Sequence, residues 1–170
     1  MTAGSEEEST LLYQWMVFLH ITGVFGFLIA HGVSVGVAFR LRRERDPRRI
    51  MALLDLSSAS ITALYVGLLL LLTGGVIAGF TPGSDGSWWD EGWIWVSLGT
   101  LVVVMIAMYA VATGYYKRLR LVVGAMAEGS QAVSEQRLAA LLEGPRPWIL
   151  AVVGFGGVLF ILYLMLFKPF

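Results

Sequence analysis

Four long apolar runs, none containing Asp, Glu, Lys or Arg, constrain this chain more than any other feature: 11–39, 60–80, 93–116 and 148–167. Each supplies the roughly 20 helical residues needed to cross about 30 Å of hydrocarbon. Strands of a membrane barrel would alternate in polarity, and these runs do not, so each is expected to be a helix. The expected fold class is all-α: an integral membrane bundle of four antiparallel transmembrane helices, forming one domain over residues 1–170. Between the runs lie two long polar segments, 40–59 and 117–147, and a shorter one, 81–92.

The polar segments fix an orientation. Arg40, Arg42, Arg43, Arg45, Arg48 and Arg49 follow the first run, and Lys117, Arg118, Arg120, Arg137 and Arg146 follow the third. Eleven of the twelve basic residues therefore share one side, leaving Lys168. Glu6, Glu7, Glu8, Asp85, Asp90 and Glu91 fall on the other. Basic loops stay in the cytoplasm, so 40–59 and 117–147 are expected inside, with both termini and 81–92 outside. Trp15, Trp88, Trp89, Trp93 and Trp95 would anchor the outer interface and Trp148 the inner one.

Composition excludes several classes. Charged residues are only 14% of the chain and hydrophobic residues 57%, far from a soluble domain with about 25% charged. Cysteine is absent, which removes disulfides, thiolate metal sites and thiol catalysis. A net charge of zero argues against nucleic-acid binding. The three glutamates ahead of the first run, where a secretory signal would be basic, mark that run as a permanent span.

Short helices are expected in the cytoplasmic segments. Asp46-Pro47 reads as an N-cap with proline at the first helical position, opening a helix that continues through Ile50, Leu53 and Leu54 into the second span. Ser134 is expected to cap a second helix ending at Gly144, before Pro145. Arg49–Asp55 and Arg137–Glu143 are alike. An offset of 78 also pairs Arg40-Leu41-Arg42 with Arg118-Leu119-Arg120, Trp15 with Trp93 and His31 with Tyr109. Either two parallel repeats or the common character of basic membrane loops explains this.

Small residues are expected to set the helix contacts, because lipid gives apolar helices no hydrophobic reason to associate. Thr22, Gly26, Ala30, Ser34 and Ala38 form a stripe on the first span, with Gly32 and Gly36 as a second pair. Gly75 and Gly79 on the second span, and Gly154, Gly156 and Gly157 on the fourth, offer similar surfaces. Such a face serves bundle packing, a homodimer or a partner membrane subunit.

His20 and His31 are the only side chains within the spans that titrate near neutrality. Eleven residues apart, they differ by about 20° around the helix and about 16 Å along it, so they share a face at two depths. This placement resembles membrane cytochromes of the b type and makes both histidines candidate ligands for haem b, with Gly23 giving room beside His20. Two haems need four histidines, so a parallel dimer, or Met105, Met108 or Tyr109, would complete the ligand set. Met16 and His20, one turn apart, form an alternative soft pair for copper. The bland alternative is that each histidine hydrogen-bonds a neighbouring helix.

Phe18-Leu19-His20-Ile21-Thr22-Gly23 resembles the opening of a family of small bacterial four-span membrane proteins of unknown function, loosely similar to the membrane domain of copper-resistance protein D. Arg45-Asp46-Pro47-Arg48 and Ala52-Leu53-Leu54 share the likeness. It implies a multi-pass plasma-membrane protein and carries no catalytic residue onto this chain. With no nucleophile–base pair, metal quartet or phosphate loop, enzymatic activity has little support. The expected functions are haem-based electron transfer through His20 and His31, a structural or accessory role with packed histidines, or copper or small-solute handling.

Overall fold

The computed structural model describes residues 3–81, 88–127 and 131–170. Its helices are α1 (Ala3–Leu41), α2 (Pro47–Phe80), α3 (Gly92–Ala127), α4 (Gln131–Leu142) and α5 (Arg146–Phe167), with a single 3₁₀ turn at Trp88–Asp90. No strand occurs among the described residues. α1, α2, α3 and α5 are long and apolar enough to cross a membrane, as the sequence leads one to expect.

The long helices outrun the hydrocarbon. α1 has 39 residues and α3 has 36, so at 1.5 Å per residue they span about 58 and 54 Å. The apolar runs therefore mark only part of α1, α2 and α3, whereas the fourth run fills nearly all of α5. Much of what reads as loop in 40–59 and 117–147 is helical continuation. Asp46 accepts the Arg48 N–H at 3.0 Å and starts α2 with Pro47 at its first turn, as its sequence signature implies. α4 starts at Gln131, three residues before Ser134, so Ser134 lies inside that helix instead of capping it. Glu44 closes the α1–α2 turn by accepting the Arg45 and Asp46 N–H groups, which hold its carboxyl below the usual value.

The α1–α2 hairpin is the tightest unit, and its seam is built from glycine. A Cβ placed on Gly67 would strike the backbone of Gly26 and Phe27, and one on Gly74 would strike that of Met16 and His20. On α1, a Cβ at Gly23 would meet the backbone of Leu71. Ser60, Gly67 and Gly74, all buried, recur every seven residues along α2, and its buried C-cap Thr81 continues the spacing, the period of a left-handed helix pair. Ser34 and Ser60 add a 2.8 Å hydrogen bond between the helices.

Part of the expected small-residue face is misplaced. Ala30 and Ala38 are buried and Gly26 faces Gly67, but Thr22 is exposed, and nothing lies within 4 Å of a Cβ at Gly32 or Gly36. A real helix seldom crosses its partner along a straight i, i+4 line, so the contact drifts off such a stripe. Gly75 and Gly79 seat the His20 and Trp89 rings instead of a helix backbone.

A second core lies at the arginine-rich end, where Val37, Leu41, Ile50, Leu54, Tyr115, Leu119, Val123, Leu138 and Leu142 join α1, α2, α3 and α4. At the opposite end Lys168, in the left-handed region, closes α5 and lets Phe170 return over Gly92. The Trp93 N–H then reaches the Phe170 carbonyl at 3.4 Å. Trp93 is consequently buried, whereas Trp15, Trp95 and Trp148 are exposed. Trp15 and Trp93, counterparts in the internal likeness, thus occupy different environments. So do buried His31 and exposed Tyr109.

Candidate functional site

Both histidines turn into the bundle, each for its own reason. His20 Nδ1 donates to the Leu71 carbonyl across the α1–α2 seam at 2.7 Å, with the ring laid against Gly75. That bond leaves Nε2 as the nitrogen for any ligand, the arrangement in which a carbonyl orients a metal-binding imidazole. The room expected beside Gly23 is filled by the α2 backbone at Leu71, so a macrocycle has no space on that flank.

His31 is 2% exposed and sits deeper among the helices. Its ring stacks on Phe27 and meets Phe155 edge-on, with centroids 6.4 and 4.9 Å apart. Gly154 of α5 allows this approach. A Cβ there would collide with Nε2 and Cε1. Nε2 is buried and makes no hydrogen bond. Leaving such a group unpaired costs about 1–3 kcal/mol, and in hydrocarbon no water compensates it.

Beside His31 lies a cavity of about 130 Å³ that draws on all four spans. Ser34 of α1, Ser57 of α2 and Thr113 and Tyr116 of α3 bring hydroxyls to its wall, and Met105 and Met108 bring thioethers. The rest of the wall is chiefly apolar. The buried Tyr116 hydroxyl is near Ser57 without a well-formed hydrogen bond. Ile61, Tyr65 and Tyr109 line the cavity and are exposed, so it opens sideways between α2 and α3.

A family model described as predicted integral membrane protein (DUF2269) matches residues 14–169. The chain belongs to that family. No curated protein and no solved structure matches it. The DUF2269 match covers both histidines, the glycine seam and every residue of the cavity wall.

In this DUF2269 protein His20 and His31 occupy separate sites along α1. His20 faces α2 while His31 faces α5, although they share one side of α1. Both rings are seated against other helices of the bundle. Met105 and Met108 gather at His31 and not at His20. Met16 presents its backbone carbonyl to Gly74. No group of three or more His, Cys, Asp or Glu that could hold a metal occurs among the described residues. The hydroxyls of Ser34, Ser57 and Tyr116 were the missed elements of the site. Their signal was a set of polar side chains within or bordering apolar runs, legible as buried only once helix partners are known.

Proposed function

We propose that this DUF2269 protein is a multi-pass cell-membrane protein that binds a small, uncharged, ring-sized molecule in the cavity beside His31. The observation that carries this reading is the buried, unbonded Nε2 of His31, at the wall of a cavity also lined by Ser34, Ser57 and Tyr116. Mostly apolar walls with a few convergent polar groups are the usual chemistry of a small-molecule site. At about 130 Å³ it approaches the ~150 Å³ of an apolar cavity that takes up benzene. A ligand hydroxyl bonding to this polar wall would compensate donors and acceptors that lipid leaves unsatisfied. The arginine-rich end faces the cytoplasm in this reading, because basic loops resist translocation.

Phenol and benzene are the probes. Phenol should raise the melting temperature of the detergent-solubilised protein more than benzene and shift the ¹⁵N resonances of the His31 ring. His31→Phe, which removes the polar partner, should abolish the difference. Equal shifts from the two probes, or none, would refute the reading.

A second reading rests on the His20–Leu71 bond, which orients Nε2 for a metal or haem b. It calls for ligation by His20, the histidine whose ring that bond orients. A Soret band in protein expressed with ample haem, lost in His20→Ala and kept in His31→Ala, would support it. Colourless protein would exclude it.

A further inference from the structure

The arginine-rich end contains a groove that neither the cavity nor the histidines use. It is lined by Arg118, Leu121 and Val122 of α3, Arg137, Ala140 and Leu141 of α4, and Gly144, Pro145 and Arg146 leading into α5. Three guanidinium-bearing residues from three elements thus border one open space. No carboxylate among the described residues lines it, and none of the three arginines forms an ion pair with a described residue. Arg146 is partly held by its guanidinium, 5.7 Å from the centre of the Tyr115 ring. The positive end of α5 adds to the field, since its first turn opens at the groove without a side-chain cap.

The apolar part of the wall identifies the occupant. Leu121 is 74% exposed, a surface suited to an acyl chain and poorly suited to water. Trp148, two residues beyond Arg146, is also exposed and stacks edge-on with Phe39, which marks the headgroup level. We propose that this groove binds an anionic phospholipid, with the phosphate held by Arg118, Arg137 and Arg146 and a chain lying along Leu121. Guanidinium forks match phosphate oxygens two at a time, which distinguishes a site from a diffuse cationic surface.

The test uses the full chain and native mass spectrometry with phosphatidylglycerol, phosphatidylcholine and inorganic phosphate as probes. Phosphatidylglycerol should be retained in preference to phosphatidylcholine, and inorganic phosphate should not displace it. Arg118→Gln and Arg137→Gln, both exposed, should each weaken retention about fivefold, the effect of roughly 1 kcal/mol per basic residue at a membrane surface. Arg43→Gln with Arg48→Gln removes as much charge near the α1–α2 turn as the two groove variants together, and should change retention little. Arg118→Lys and Arg137→Lys preserve charge and carry the test if the glutamine variants misfold; they should lose part of the affinity. Equal retention of both lipids, an equal loss in the Arg43/Arg48 control, or displacement by inorganic phosphate would overturn the proposal.

Discussion

At the scale of single residues, the α1–α2 seam separates glycines that are needed from glycines that are not. At Gly67 and Gly74 the space a Cβ would take is occupied by the opposing backbone, and backbone cannot step aside as a side-chain tip can. Gly67→Ala and Gly74→Ala should each destabilise the protein by about 1–3 kcal/mol, the usual result of overpacking. Gly32→Ala and Gly36→Ala, which meet nothing within 4 Å, should stay within about 0.5 kcal/mol of the parent. Unfolding of the four variants in mixed micelles provides the comparison. If Gly67→Ala and Gly32→Ala proved equally stable, the close approach of the two helices would be wrong.

At the scale of helices, contact is close within the first hairpin and sparse between α2 and α3. α1 and α2 share a long backbone seam, whereas α2 and α3 are held by fewer contacts, among them Arg120. Its guanidinium reaches Asp55 at 2.8 Å and Ser58 at 3.0 Å. Both ionic side chains are substantially open to solvent, at 36% and 67%, so screening limits their worth to about 0–1 kcal/mol. A double-mutant cycle of Arg120→Gln and Asp55→Asn should return a coupling in that range that shrinks with added salt. Such unequal contact was largely invisible in the sequence. The four spans were legible because hydrocarbon demands long uncharged runs whatever the packing. The shared face of His20 and His31 was legible from helical period alone. Their partners were not, since Leu71 and Gly154 belong to helices whose crossing points no local pattern records. Gly23 read as open space for the same reason. The seven-residue spacing of Ser60, Gly67, Gly74 and Thr81 was present to be read and would have located the seam.

At the scale of the whole molecule, the absence of cysteine gives a clean background for testing the proposed orientation. A cysteine replacing Asp85 should react with an impermeant maleimide on intact cells, and one replacing Arg45 only after the membrane is opened. Labelling in the reverse order would invert the bundle and move the arginine groove to the outer leaflet. The arginine-end core has a consequence of another kind. Residues such as Leu41, Ile50 and Leu119 are level with side chains that hydrocarbon excludes, so water is the solvent from which they are withdrawn. The glycine seam is immersed in acyl chains and owes its strength to close van der Waals approach. Urea, which weakens burial from water, should loosen the first and spare the second, while a change of detergent tail should do the opposite. One protein should then show two unfolding transitions, each governed by the solvent that surrounds it.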